Sequence, residues 1–175
     1  MIYYWIHIIY IYFGSRFFWK KVDLGKDLSR ERMVRIWDCD FRFMANSKYF
    51  YYMDFIRLEI LFRSKLYEHT IGKGMFPVLG SQKIIFKKPL RIWTRFSINL
   101  VLEGWDDKWI YHKQIFRRKN EIYAIGFTKV AFWKNKKAQN IREIIANSGL
   151  EIPEMNPPPE ILNMFESDYE IIQQN

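Results

Sequence analysis

"RIWDCDFRFMANSKYFYYMDFIRLEILF" occupies residues 35–62. It opens at the end of a short apolar alternation, residues 33–37, which predicts a strand. Residues 38–46 read as a loop carrying Asp38 and Asp40. Ser47 can cap a helix that continues to about Leu66. That helix has two apolar stripes. Tyr49, Met53, Ile56 and Ile60 follow the helical repeat on one side, and Tyr51, Phe55, Leu58 and Phe62 follow it on another. Asp54, Arg57, Glu59 and Arg63 lie between them. A helix apolar on more than one side is wrapped by other elements, not merely laid on a core.

Past Gly72, Gly74 and Pro77 the period changes. Residues 78–86, 92–102, 109–116 and 122–132 read as strands, separated by turn chemistry at 87–89, 104–108 and 117–121. Short links between long strands predict an antiparallel meander. Residues 138–147 predict a short helix ended by Ser148-Gly149. A proline-rich hinge follows at 152–160, then a last helix over 161–174. One strand, one long helix and four antiparallel strands make an α+β pattern. A sheet curled around the single helix would account for its two stripes.

The chain has 175 residues, 49% of them hydrophobic, which suits one domain with a sizeable core. Its net charge of +9 favours polyanions, an anionic membrane face or a phosphorylated ligand. No nucleic-acid motif interleaves the basic residues, so nucleic acid is not expected as a partner. Cys39 is the single cysteine, and His7, His69 and His112 are scattered, so neither an internal disulfide nor a structural zinc site is expected. Residues 1–15 carry no formal charge with His7 neutral, and Arg16, Lys20 and Lys21 flank them. A helix of fifteen residues reaches roughly 22 Å, short of a ~30 Å hydrocarbon core. Residues 1–21 are therefore expected to attach to a membrane, spanning or interfacial, with the main domain on the cytosolic side, or else to pack as a core segment. Residues 22–32 are polar and read as a linker. The expected organisation is an anchor over 1–21, one domain over 22–150 and a proline-containing tail over 151–175.

The stretch "DCDFRFMANSKYFYYMDFIR" resembles the motif of thioesterase-like hotdog proteins, D-x-D-x-x-x-H-M-N-N-x-x-Y followed by D-x-x-R. Asp38, Asp40, Met44, Asn46, Tyr49, Asp54 and Arg57 match. "EGWDDKWIY" at 103–111 and "IPEMNPPPEI" at 152–161 resemble the turn and the tail of one branch, the thioesterase superfamily member 6 family, which shares the apolar N-terminal anchor. Two motif positions differ. Phe43 falls where the motif has His, in a loop one residue shorter, and Ala45 stands for the first of the paired asparagines.

The resemblance implies a hotdog fold, an antiparallel sheet wrapped around one long central helix. It further implies an acyl-CoA or other acyl thioester as ligand, a homodimer, attachment to the endoplasmic reticulum, and no cofactor. Thioester hydrolysis needs a carboxylate beside the carbonyl and donors aimed at the developing oxyanion. By motif position Asp40 is the catalytic candidate. Asn46, Ser47 and Tyr49 are the substrate-binding candidates, and Asp38 is expected to hold the loop by accepting backbone hydrogen bonds. Asn46 can equally cap the helix, and Tyr49 can line the core. Lys87, Lys88 and Arg91 read either as a grip for coenzyme A phosphates or as a solvated turn. The competing functional expectation is a catalytically inactive protein of the same fold, binding lipid or acyl groups or acting as a membrane-held scaffold.

Overall fold

The computed structural model describes residues 2–150 and 152–168. Helix α1 (Ile2–Phe13) widens into a π-helical turn, Gly14–Phe18. Strand β1 (Leu28–Met33) leads through a single 3-10 turn, Ile36–Asp38, to a miniature hairpin, β2 (Cys39–Asp40) and β3 (Phe43–Met44). The long helix α2 (Asn46–Arg63) and the short α3 (Leu66–His69) follow. Strands β4 (Phe76–Phe86), β5 (Arg95–Trp105), β6 (Ile110–Arg118) and β7 (Glu121–Lys134) form most of the sheet. Strand β8 (Lys137–Ala138) and helices α4 (Ile141–Asn147) and α5 (Pro159–Glu166) complete the described chain.

The sheet is antiparallel, in the order β1-β5-β6-β7-β4, with β8 paired to β7. Alternation places Phe96, Ile98, Leu100 and Leu102 of β5 on its inner face, where all four are buried. The same face receives α2. Tyr49 packs edge-on against Phe86 and Phe116, each ring pair 5.0 Å apart between centroids. Gln114 Nε2 on β6 donates to the carbonyl of Met53 at 3.0 Å, so helix and sheet share a buried hydrogen bond as well as a core. A Cβ at Gly126 of β7 would lie 2.2 Å from Met53 Cε, and the missing side chain lets α2 settle this close.

Four expectations from the sequence need correcting. Residues 28–32 are strand and not linker. They form most of β1, which among the described residues pairs only with β5, and the charged Glu31 and Arg32 suit an exposed edge. Of residues 33–37, predicted as a strand, only Met33 belongs to one. The four large strands are not a simple meander: β4 joins the far side of β7, because residues 87–94 cross over instead of turning tightly. Ser47 does not cap α2, whose N-cap position is Ala45.

The second stripe of α2 also has a different cover. Tyr4 lies 5.2 Å from Tyr51 and 5.4 Å from Phe55, His7 stacks on Phe55 at 4.8 Å, and Tyr12 meets Phe62 edge-on at 5.5 Å. The sheet takes one side of α2, and α1 takes the other. Among the described residues, no helix is long and apolar enough to cross a membrane. The outward side of α1 shows Trp5, Ile6, Ile9, Tyr10 and Phe13 to solvent.

Two further devices tie the ends down. Glu59 is fully buried and accepts from Arg30 Nε at 2.8 Å and Arg63 Nη1 at 2.5 Å. The Trp19 ring lies over both guanidinium groups, and Arg63 Nε donates to the Lys20 carbonyl at 2.9 Å. At the other end, Ile161 and Phe165 of α5 pack on the outer face of the sheet with Trp109, Tyr111 and Phe127. The predicted last helix ends at Glu166, and its positions from 169 onward lie outside the described residues.

Candidate active site

Asp38 organises the corner ahead of α2. Its carboxylate is wholly buried and accepts from the Arg35 backbone N–H at 3.0 Å and from the Tyr52 hydroxyl at 2.9 Å through the same oxygen, Oδ2. Its own carbonyl accepts from Ala45 N–H at 2.8 Å. The loop-holding role expected for Asp38 is thus the one it performs. Burial and the neighbouring carboxylate push the Tyr52 hydroxyl far above its usual range, so it stays a donor.

With both flanks fixed, residues 39–44 fold back as the β2-β3 hairpin, Cys39 opposite Met44 and Asp40 opposite Phe43. Phe41 turns the tip in the left-handed conformation, at φ 60°. The segment after β4 braces the hairpin from outside: Met44 N–H donates to Leu90 O at 2.8 Å, and Ile92 N–H donates to Arg42 O at 3.0 Å.

Asp40 is exposed on this hairpin, and its carboxylate makes no hydrogen bond or ion pair among the described residues. Asn46 and Ser47 are exposed on the first turn of α2. The position before them is Ala45, which has no side chain able to cap, so the Asn46 and Ser47 amides keep their donor capacity, while Lys48 N–H already donates to Ala45 O at 2.9 Å. Tyr49 lies deeper. It is buried, and its hydroxyl accepts from Leu90 N–H at 3.2 Å. Asp40, Asn46 and Ser47 are thus each solvent-facing, on the hairpin and on the helix start that follows it, whereas Tyr49 lies in the core. Lys88 pairs with Glu121 at 3.0 Å, and the Arg91 guanidinium lies 5.9 Å from the Phe43 ring.

The G-W-D-D turn is a structural brace. Asp106 accepts from the Lys108 and Trp109 amides, each at 2.7 Å, and from the Tyr111 hydroxyl at 2.7 Å. Gly104, at φ 120°, lies against Met155 and Pro157 of the tail, and Trp105 N–H donates to Met155 O at 3.0 Å.

A second polar group, not singled out as a site from the sequence, lies midway along α2. Arg57 pairs with Asp54, whose Oδ2 accepts from Tyr4 at 3.4 Å. The buried His112 of β6 lines one cavity together with Tyr4, Asp54 and Arg57. Burial and the charge of Arg57 hold His112 neutral, with its pKa down to about 3. Burial raises the carboxyl of Asp54 and lowers the pKa of Arg57. The sequence alone shows the Asp54–Arg57 spacing. Bringing His112 to it requires the register of β6 against the helix.

The sequence model of the thioesterase-like superfamily matches residues 34–165. Protein THEM6 of Xenopus laevis is 38% identical over 97 residues, 54% of this chain and 46% of that protein. The chain thus spans about half the length of that relative. Protein THEM6 of Drosophila melanogaster is 25% identical over 130 residues, 72% of this chain and 67% of that protein. YbaW, a probable thioesterase of Escherichia coli, superposes with a TM-score of 0.64 at 15% identity, covering 69% of this chain and 95% of its own, and so shares the fold. The matched residues contain the whole corner built around Asp38 and Asp40, together with α2 and every strand of the sheet but β1: the chain belongs to the thioesterase-like superfamily.

Proposed function

We propose that the protein hydrolyses an acyl-CoA thioester at the corner formed by the β2-β3 hairpin and the start of α2. What supports this reading is an exposed, unpaired carboxylate, Asp40, on the hairpin that leads directly into a helix whose first two amides, Asn46 and Ser47, are left uncapped by Ala45. Asp40 takes a proton from water as the water oxygen adds to the thioester carbonyl. The oxyanion is received by N–H groups at the start of α2, with Asn46 and Ser47 at the rim. Collapse of the tetrahedral species breaks the C–S bond, and the proton returns from Asp40 to the leaving sulfur. The test is turnover of acyl-CoAs of several chain lengths by the full chain. Asp40→Asn should lower kcat by about 10²- to 10⁴-fold. An unchanged rate would remove Asp40 from the mechanism.

Phe43 and Ala45, where the motif has His and Asn, favour a second reading: an acyl-binding protein without turnover. Retained acyl-CoA binding with no hydrolysis by any chain length would select it.

Two associations complete the proposal. The outward ridge of α1, with Trp5, Ile6, Ile9 and Phe13 exposed and Arg16, Lys20 and Lys21 beside it, supports attachment in the plane of an anionic membrane surface, as at the cytosolic face of the endoplasmic reticulum. Flotation with anionic vesicles tests this, and loss of flotation in Trp5→Ser/Ile9→Ser is expected. Strand β4 ends the sheet and exposes Phe76, Leu79, Ile85 and Phe86, which supports pairing of two copies along this edge. Light scattering should give a dimer mass that Ile85→Lys reduces to that of a monomer.

A further inference from the structure

A pocket of about 450 Å³ lies between α1 and the edge strand β1. Tyr3, His7 and Tyr10 of α1 line one side of it, and Arg32, Arg35 and Arg95 line it from the sheet. The backbones of the three arginines are neighbours. Arg95 of β5 stands opposite Met33, one residue from Arg32 and two from Arg35. The volume is that of a small-ligand site.

Arg32, Arg35 and Arg95 enter no ion pair among the described residues, unlike Arg30 on the same strand, which Glu59 holds. Among the described residues, Glu31 is the one carboxylate in the lining, so three positive charges against one negative leave a net of +2. Burial and the charge of Arg32 lower the pKa of His7, which is therefore neutral at pH 7 and adds nothing. Asp38, held by the Tyr52 hydroxyl at the pocket, is matched by Lys48 at 3.8 Å. This balance selects the ligand. A carboxylate or a phosphodiester carries one negative charge and leaves the pocket cationic. A phosphate monoester carries about −1.5 to −2 at pH 7, with three acceptor oxygens, and guanidinium forks bind it bidentately.

We infer that this pocket binds a phosphate monoester through Arg32, Arg35 and Arg95, and that the monoester is the headgroup of a membrane lipid. The source follows from α1. Tyr10 lines the pocket and is also exposed on the outward ridge beside Ile6 and Ile9, so a bilayer under that ridge meets the pocket. The lipid source rests on the membrane reading of α1, whereas the phosphate chemistry does not. Neither part rests on hydrolysis, because Asp40, Asn46 and Ser47 do not line the pocket.

Two probe pairs test the full chain at pH 7. Titration calorimetry compares glycerol 3-phosphate with dimethyl phosphate, a monoester with a diester. Flotation compares phosphatidylcholine vesicles containing phosphatidic acid with vesicles containing phosphatidylserine, matched in surface charge. The monoester should bind about tenfold more tightly in each pair. Arg32→Gln/Arg95→Gln should erase both preferences, and Arg35→Gln, at an exposed position outside the core, should do so by itself if the double variant does not fold. Trp5→Ser/Ile9→Ser should abolish flotation and keep glycerol 3-phosphate binding, which separates a failure of the membrane reading from a failure of the phosphate site. Equal binding of glycerol 3-phosphate and dimethyl phosphate would overturn the site, as would a preference that survives the arginine substitutions. Glycerol 3-phosphate preference without phosphatidic acid preference would overturn the lipid source and leave a soluble phosphate ester as the ligand.

Discussion

The Tyr52 hydroxyl, one full turn and more inside α2, donates to Asp38 Oδ2 at 2.9 Å and so fixes the loop ahead of the helix to the helix itself. Because Arg35 N–H uses the same oxygen at 3.0 Å, a single carboxylate joins the chain before the hairpin to the element after it. Asp38→Ala leaves both donors buried and unpaired, and should destabilise the fold by about 3 kcal/mol. Tyr52→Phe removes one donor and should cost about 1 kcal/mol. Urea unfolding of the two variants and the double variant checks this. Equal losses in both single variants would contradict the shared-oxygen arrangement.

Glu59 sits between two guanidinium groups with no access to water. Glu59→Ala strands Arg30 and Arg63 together, and breaking a buried pair in this way typically costs about 3–5 kcal/mol. Thermal unfolding should show the loss. Fluorescence of Trp19, whose ring covers both arginines, should change along with it.

His112 should make stability fall as the solution is acidified. Its folded pKa is down to about 3, while the unfolded side chain keeps the usual value near 6.5. Between those values the unfolded state binds the extra proton, so stability rises with pH through the window and is lost as pH falls through it, by at most about 1.4 kcal/mol per pH unit. His112→Gln should flatten this slope between pH 6 and pH 4. Denaturant titrations at stepped pH would show parallel slopes for the two proteins if His112 were already charged in the folded state.

Gly104→Ala should loosen the tail. Position 104 holds φ 120°, and a Cβ there would stand 2.6 Å from Met155 O and 2.8 Å from Pro157 N. Strain of this kind costs about 1–3 kcal/mol. The expected sign is faster amide hydrogen exchange at Trp105, whose N–H donates to Met155 O, and easier proteolysis after residue 150.

Much of this architecture was legible in the residues. Alternation located β5, β6 and β7, because one face of each meets the core and period two survives. The apolar repeats of α2 identified it as a wrapped helix, and Asp38 read as a loop-holder because a carboxylate ahead of a helix has backbone donors within reach. What escaped has specific causes. Strand β1 is an edge strand whose Arg30, Glu31 and Arg32 carry the composition of a linker. The Ser47 hydroxyl has the chemistry of a cap, but the helix starts at Asn46, which puts Ala45, with no capping group, at the N-cap position. Two stripes on α2 do not say which partner covers which, and the apolar character of α1 suits a neighbouring helix as well as lipid. The Arg57–His112 wall is assembled by the sheet from distant segments, and no local spacing carries it.

The bolting of Trp19 and Lys20 onto Arg63 bears on how the protein can be handled. Cutting the chain ahead of Val22 would strip away not a loose leader but the cover of Tyr51, Phe55 and Phe62, and would take the aromatic lid off the two arginines that flank the buried Glu59. A shortened version would thus be prone to clump in solution, and its silence in an enzyme assay would reflect a damaged scaffold and not the chemistry of Asp40.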